Sequence, residues 1–208
     1  MIVTLETSKE EFTKMEWRAA EAALTCHANV EKMSAEGYKP SDTLKNIIKW
    51  GHESVLEHIN LSFHVKPLSR ACLQELARHR HISLSVESTR HTLKEQIKSD
   101  KIIFVFHEKW DKELKIIIAK YLETLFDYVR NNPDVPNDFL KYALPECVCT
   151  NLVMTVNVRE LRHIIKVRNH PAALEEFQVL SRQLYEVVPD EFKYLLENCL
   201  YEGKKENE

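Results

Sequence analysis

A basic segment at residues 78–94 holds the densest group of side chains that could do chemistry. It contains four Lys or Arg residues and three His but a single Glu, in a chain whose formal net charge is −3. It also carries hydroxyl groups, at Ser83, Ser85, Ser88 and Thr89. Cationic and hydroxyl side chains are the donors that hold phosphate groups. The segment is therefore either an anion-binding site or a solvated helix end whose basic residues offset the helix dipole.

Arg168 is a second candidate, because it lies in the apolar stripe of a helix predicted over residues 157–168. Helical periodicity builds this stripe from Val158, Leu161, Ile164 and Ile165. A guanidinium group keeps its charge, so on a buried face it needs an anionic partner, either a structural carboxylate or a ligand. Arg159 and His163 lie on the opposite face of the same helix, where they could hold another group.

The sequence GHESVLEH at residues 51–58 superficially resembles the zinc motif H-E-x-x-H. Its histidines, His52 and His58, are six residues apart. On a helix this spacing turns them away from each other by about 120°, so they cannot share a metal ion from one face. We predict no zinc site here. We expect His58 to be a core or strand-edge histidine with satisfied hydrogen bonds, and His52, just after Gly51, to face a ligand.

Taken together, these segments resemble the flavin-dependent thymidylate synthases, a family unrelated to the thymidylate synthases that use a cysteine nucleophile. Arg78-His79-Arg80, seven further residues and Ser88 are similar to the family signature R-H-R-x7-S. GHESVLEH resembles the family motif G-H-x-S-x-x-E-H, and ALPECVCTNLVMTVNVREL at residues 143–161 resembles L-P-x-x-x-x-T followed by N-x-R-x-L. The resemblance covers roughly residues 40 to 180 in the family's order.

The resemblance implies an enzyme that converts dUMP to dTMP by reductive methylation. It implies tightly bound FAD, with NADPH as reductant and methylenetetrahydrofolate as carbon donor. Hydride from the reduced flavin turns the transferred methylene into a methyl group, so no covalent enzyme nucleophile is needed. The resemblance also implies a homotetramer whose active sites form between subunits, with neither a nucleic acid nor a membrane as partner.

The resemblance implies a role for each residue that matches the family pattern. Arg168 matches the catalytic arginine that stabilises uracil deprotonated at N3. The residues implied to bind dUMP are Glu75, Arg78, Ser88, Arg90, Lys141 and Arg168. The residues implied to bind FAD are His52, Ser54, Arg78, His79, Arg80 and Val86, joined by Asn157, Arg159 and His163 from a neighbouring subunit. No residue is implied to bind a metal.

The chain departs from the family pattern at several of these positions. Glu75 stands where the family has a glutamine, and Lys141 stands for an arginine that reaches the nucleotide phosphate. Cys149 replaces a tyrosine, and Val86 replaces a glutamate in a variant similar to one divergent branch of the family. Lys141 keeps the charge but lacks the two-pronged guanidinium. Two alternatives remain: a flavoenzyme of the same scaffold with another pyrimidine substrate, and a non-catalytic nucleotide- or nucleic-acid-binding protein.

The elements that must position these side chains are helices around a few strands. The predicted strands are residues 1–6, 59–66, 83–86 and 102–106, whereas residues 150–156 suit either a strand or a buried helix. The predicted helices are residues 9–26, 44–50, 70–80, 109–130, 137–144, 157–168, 172–186 and 189–199. We therefore expect an α+β fold, a single domain over residues 1–208 with a small, mostly antiparallel sheet in a helix-rich surround.

Several residues are expected to bound or orient these elements. Ser41-Asp42 and Ser69 are predicted helix caps, and Pro67 is predicted to end the strand before Ser69. The inward residues of that strand are predicted to be Ile59, Leu61, Phe63 and Val65. The inward residues of the helix after Ser69 are predicted to be Ala71, Leu73, Leu76 and Ala77.

Composition excludes several classes of function. The three glycines, Gly37, Gly51 and Gly203, are too far apart to form a G-x-G-x-x-G turn or a P-loop, so side chains must hold any phosphate. A net charge of −3 and a pI near 6.4 argue against a non-specific DNA-binding protein. Five scattered cysteines suggest reduced thiols. With an acidic N-terminus and no long apolar run, we expect a cytoplasmic protein.

Overall fold

A four-stranded antiparallel sheet lies at the centre of the computed structural model, which describes residues 1–201 and 203. Its strands are β1 (Ile2–Leu5), β2 (Asn60–Ser69), β3 (Ile82–Val86) and β4 (Cys149–Asn157). They are ordered β1-β2-β4-β3, and Phe63 of β2 pairs opposite Met154 of β4. The segment that suited either a strand or a helix is thus a central strand. The inward residues predicted for this segment are confirmed as fully buried: Ile59, which lies just before β2, and Leu61, Phe63 and Val65 within it.

Helices surround this sheet. The α-helices are α1 (Lys9–Thr25), α2 (Pro40–Lys49), α3 (Arg70–Leu76), α4 (Thr89–Lys98), α5 (Lys112–Asn131), α6 (Asn137–Leu140), α7 (Val158–Arg168) and α8 (Glu175–Glu186). Short 3₁₀ helices cover Val30–Ser34, Glu53–His58, Lys141–Ala143 and Asp190–Leu196. The α+β fold class with a small antiparallel sheet is confirmed. In the described part of the chain, no helix combines the length and the apolar character that a membrane crossing requires.

Two groups of buried apolar side chains hold these elements together. The larger group packs α1, α7 and α8 with the sheet and includes Phe12 and Phe177. The smaller group packs α4, α5 and α6 and includes Leu93 and Leu122. The predicted stripe of α7, formed by Val158, Leu161, Ile164 and Ile165, is completely buried in the larger group. The parts of α7 that a ligand can contact are therefore its opposite face and its C-terminal end.

The junction of β4 and α7 is set by Asn157, the last residue of the strand. Its side-chain oxygen accepts the backbone N–H of Glu160 at 2.9 Å and so caps the helix. The N–H of Val158 bonds to the carbonyl of Ile59, just before β2. A helix that begins directly at the end of a central strand has its first turn fixed to the sheet.

The predicted strand at residues 102–106 is wrong. This segment forms an isolated bridge, between Phe104 and Val148, with the residues just before β4. The backbone that follows β3 already occupies that edge of β4 at Asn151. On the other side, Pro145 has no N–H to donate. Residues 102–106 therefore form a single bridge beside β4 and do not pair with it as a strand.

Strand β2 does not end at Pro67, as predicted, but continues to Ser69. Its register with β4 shifts between Val65 and Leu68. Such a bulge accommodates a residue that cannot donate an N–H to the ladder. Ser69 then caps α3 as predicted, because its hydroxyl accepts the N–H of Cys72 at 3.0 Å.

Helix α3 is shorter than the predicted helix over residues 70–80 and ends at Leu76. Of the side chains expected to face inward, Leu76 is buried but Ala77 is exposed. The segment Arg78-His79-Arg80 therefore lies in the connection between α3 and β3. This connection leads the chain from α3 to the edge strand β3, and it places His79 against Glu160 and Arg168 of α7.

Helix α2 begins at Pro40 with Lys39 as its N-cap, so the prediction of Ser41-Asp42 as the cap is wrong. Proline suits the first helical position, because its φ angle is already helical and the first N–H groups of a helix have no intrahelical partner. The predicted end at Gly51 is correct. Gly51 has a φ of +74°, a left-handed conformation that glycine adopts without steric cost.

Candidate active site

The guanidinium group of Arg168 is held from three directions at the end of α7. Its Nε donates to Nε2 of His79 at 3.0 Å, and its Nη1 donates to Oε2 of Glu75 at 2.7 Å. The guanidinium carbon lies 4.8 Å from the centre of the Phe177 ring, a cation–π contact. The side chain is 15% exposed. The predicted anionic partner is therefore present within the chain, as the carboxylate of Glu75.

His79 links Arg168 to a second carboxylate. Its Nδ1 lies 3.0 Å from Oε1 of Glu160. Because Nε2 accepts from Arg168, Nδ1 must carry the ring proton and donate it to Glu160. Burial lowers the pKa of His79, and the charge of Arg168 lowers it further, while Glu160 opposes this shift. A neutral His79 with a fixed tautomer therefore orients the guanidinium of Arg168.

The state of His79 predicts how stability depends on pH. Its pKa in the folded protein lies below its ordinary value of 6.5, so the unfolded chain binds a proton first as the pH falls. The free energy of unfolding should therefore decrease as the pH is lowered from about 7 to about 5. Urea unfolding across this range should show a smaller decrease for His79→Gln than for the wild type. Equal pH dependence in both proteins would contradict this assignment.

His79, Glu160 and His163 also form the one described group with the composition of a metal site. Their ligand atoms lie within 4.8 Å of one another. However, both ring nitrogens of His79 are engaged, and a metal ion there would lie beside the permanent charge of Arg168. This group is therefore a poor metal site.

A cleft of about 540 Å³ lies along the solvent face of α7. This cleft is lined by Arg159, His163 and Lys166, which follow one another at helical spacing. The prediction that Arg159 and His163 share the face opposite the apolar stripe is therefore confirmed. Asn157 and His81 also line the cleft. Lys166 is not among the predicted site residues, although it lies three residues after His163 and shares its face.

The carboxylates of this cleft already have partners within the chain. Glu57 pairs with Arg159 at 2.6 Å, and Glu53 pairs with Arg162 at 3.0 Å. The third carboxylate, Glu160, is the partner of His79 described above. Arginines thus offset the charges of Glu57 and Glu53, whereas neutral His79 does not offset the charge of Glu160, and Lys166 brings a further cationic group to the cleft.

Arg162 is a buried residue that is not among the predicted site residues. Its side chain is 3% exposed. Besides Glu53, it bonds to the backbone carbonyl of Leu195 and, at 3.3 Å, to that of Glu197. Arg162 lies four residues after Val158, so the periodicity that drew attention to Arg168 could also have found it.

A second basic group lies on α4, a helix that the sequence did not predict, and near α6. Arg90 forms two hydrogen bonds with Asp138, at 2.6 and 2.9 Å, which hold the pKa of that carboxyl below its usual range. The ammonium group of Lys141 lies 5.8 Å from the Tyr142 ring. Ser88 precedes α4, but its hydroxyl makes no capping bond and is free to meet a ligand.

The remaining predicted site residues are mostly at the surface. Arg78 is exposed and pairs with Glu75 at 3.3 Å, Arg80 is exposed, and Val86 is half-buried at the end of β3. His52 is exposed, with its ring centre 6.4 Å from that of Trp50.

Ser54 and His58 line a separate groove against α1. The expectation that His58 is a satisfied core or strand-edge histidine is wrong, since its side chain is exposed. The 3₁₀ helix Glu53–His58 instead turns Val55 and Leu56 toward the core.

The structure thus brings together only part of the predicted site within one chain. Glu75, Arg78, His79 and Arg168 form one connected group, which adjoins the cleft of α7 through the contact between the His79 and His163 rings, 5.7 Å apart. In the described residues, no hydrogen bond or ion pair joins this group to Ser88, Arg90 or Lys141. His52 and Ser54 are likewise separate from it.

The cysteines do not offer a reactive thiolate near Arg168. Burial raises the pKa of Cys72, Cys147, Cys149 and Cys199, in the case of Cys149 to about 12. A thiol attacks as its thiolate, so these four groups are poor nucleophiles at neutral pH. Cys26 is exposed and lines the groove with Ser54. The scattered cysteines are all free thiols, as predicted.

Comparison with known proteins places the chain in a family. The family described as thymidylate synthase complementing protein matches residues 10–192. Among curated proteins, the flavin-dependent thymidylate synthase of Campylobacter jejuni strain RM1221 is 36% identical over 189 residues, which are 86% of this chain and 90% of that protein. The enzyme of Wolinella succinogenes is 37% identical over 194 residues, which are 87% of this chain and 91% of that protein.

The fold agrees with this relationship. A crystal structure of the flavin-dependent thymidylate synthase of Helicobacter pylori, complexed with FAD and dUMP, superposes with a TM-score of 0.82 at 32% identity. The match covers 97% of this chain and 100% of that chain. This relationship favours an enzyme over a non-catalytic binding protein. The chain belongs to the flavin-dependent thymidylate synthase family.

Proposed function

We propose that this chain converts dUMP to dTMP, with methylenetetrahydrofolate as carbon donor, NADPH as reductant and tightly bound FAD. The balance requires a reductant: transfer of CH₂ to C5 of the pyrimidine leaves the folate two hydrogens short of tetrahydrofolate. NADPH and a proton supply these two hydrogens. Bound FAD supplies the two-electron redox chemistry that carries them.

The observation that carries this proposal is the largely buried guanidinium of Arg168. Its planar charge can bind the oxygen–nitrogen edge of uracil and stabilise the ring deprotonated at N3. Deprotonation makes the ring electron-rich, so that C5 can attack the methylene carbon of the donor. The contacts to His79 and Phe177 hold the guanidinium in place before the substrate binds. The buried thiols support a reaction without a covalent enzyme nucleophile.

The side chains of the α7 cleft fit the pyrophosphate of FAD. Arg159, His163 and Lys166 present cationic or hydrogen-bonding groups on one helix face, and Asn157 lies at its start. Such donors replace the glycine loop that binds dinucleotides in other folds, which this chain cannot form. These residues would therefore hold the cofactor, together with His52, Ser54, Arg78, His79, Arg80 and Val86.

We further propose that the complete site forms between subunits of a homotetramer. Within one chain, the basic group of Ser88, Arg90 and Lys141 is separate from the group around Arg168. Both are proposed to bind one dUMP, the first at its phosphate and the second at its uracil. A neighbouring subunit that brings one group to the other would reconcile these roles.

The test is reconstitution of the complete reaction. The purified protein with FAD is expected to be yellow and to release tritium from C5-labelled dUMP only when methylenetetrahydrofolate and NADPH are both present. Omission of each component in turn is the control. FAD-loaded protein that binds dUMP but releases no tritium would contradict the proposal.

A further inference from the structure

Every nitrogen of the Arg168 guanidinium already has an acceptor within the chain. His79 accepts from Nε, and the carboxylate of Glu75 accepts from Nη1 at 2.7 Å. The backbone carbonyl of Glu75 accepts from Nη2 at 3.3 Å. Glu75 therefore occupies the part of the guanidinium that points away from His79. A pyrimidine that binds Arg168 must displace this carboxylate or share the guanidinium with it.

Glu75 is an ionised group within reach of a ligand. Its bond to Arg168 holds its pKa below the usual range, and Arg78, 3.3 Å away, acts in the same direction. Its side chain is 32% exposed, compared with 15% for Arg168. The carboxylate thus lies on the solvent side of the pair, where it would face an incoming nucleotide.

We propose that Glu75 competes with the bound pyrimidine for Arg168 and thereby opposes ionisation of the uracil ring at N3. This inference rests on the proposed function. A neutral ring offers its N3–H as a donor to the carboxylate, whereas an ionised ring adds a second negative charge beside it. Glu75 therefore favours the neutral ring on binding. The ionised ring forms, with its N3 proton released to solvent, when the carboxylate leaves Arg168 or is itself neutralised by a proton from solvent.

The other charged and titratable groups around this pair do not replace Glu75. From α3 and the turn after it these are Cys72, Arg78 and His79, from α7 Glu160 and His163, and from α8 Glu176. The pKa of Cys72 is raised and that of His79 is lowered, so neither changes charge near neutral pH. Among the described residues, Glu75 alone places a carboxylate on Nη1 of Arg168.

The test uses 5-fluoro-dUMP bound to the FAD-loaded protein, because the ¹⁹F chemical shift of its ring reports ionisation at N3. In Glu75→Gln, the pH midpoint for ionisation of the bound ring at N3 should lie about one unit or more below that in the wild type. Glu75→Ala, which also removes the charge, should shift the midpoint in the same direction. The control is Glu146→Gln, which removes an exposed carboxylate that bonds to Gln74 of α3 but not to Arg168.

The outcomes separate this inference from the proposed function. If the nucleotide binds normally and its midpoint is the same in the wild type and both Glu75 variants, the inference is overturned while the proposed function stands. A shift of equal size in Glu146→Gln would also overturn it, because the effect would then be one of general charge. If the FAD-loaded wild type does not bind the nucleotide, the proposed function fails and the inference fails with it.

Discussion

Arg168→Ala is expected to lower tritium release from C5-labelled dUMP by about 100- to 1,000-fold. The substitution removes the charge that stabilises the ionised uracil ring, and it leaves His79 and Glu75 without their shared partner. FAD binding should persist, because Arg159, His163 and Lys166 lie on another face of α7. Tritium release and the flavin absorbance spectrum should be measured on the same preparation.

Arg168→Lys is the matched variant for this prediction. Lysine keeps the positive charge but cannot bond His79 and a planar ligand at the same time. We expect the activity of Arg168→Lys to lie between that of the wild type and that of Arg168→Ala. Activity near that of the wild type in Arg168→Ala, with FAD bound, would show that the guanidinium is not the group that activates the ring.

Arg162→Met is expected to lower the free energy of unfolding by about 3 to 5 kcal/mol. Methionine fills much of the space but cannot donate a hydrogen bond. The substitution would leave the Glu53 carboxylate without its partner and the carbonyls of Leu195 and Glu197 without a donor. Urea unfolding of the FAD-free protein measures this loss directly.

Arg159→Ala provides the control for Arg162→Met. Arg159 also pairs with a glutamate of the same 3₁₀ helix, Glu57, at 2.6 Å, but both side chains are about half exposed. An exposed pair contributes little, so the free energy of unfolding should change by about 1 kcal/mol or less. Losses of equal size in both variants would contradict the assigned difference in burial.

Local patterns predicted the parts of the fold in which one face is buried. The alternation of β2 and the stripe of α7 both follow from the period of apolar residues, and Arg168 stands out because it interrupts such a stripe. Asn157 at the end of β4 is a typical helix cap. Residues 102–106 have the composition of a strand but fail to form one. The reason is that β3 already pairs with this edge of β4, and Pro145 on the other side has no N–H to donate.

The partners in the site could not be predicted from local patterns. Glu75 and Arg168 are 93 residues apart in the chain, and His79 and Glu160 are 81 apart. Their contacts depend on how α3 and the turn after it pack against α7, which no short window of sequence contains. The resemblance to the family predicted most of the site residues, but it did not predict the hydrogen bonds that link them.

The most direct test of the proposed reaction is identification of its products by mass spectrometry. The FAD-loaded protein should be supplied with dUMP, methylenetetrahydrofolate and NADPH. If the reducing hydrogens come from NADPH, the reaction should yield dTMP and tetrahydrofolate in equal amounts, with one NADPH consumed for each. Formation of dihydrofolate, or consumption of NADPH without dTMP, would contradict the proposed reaction.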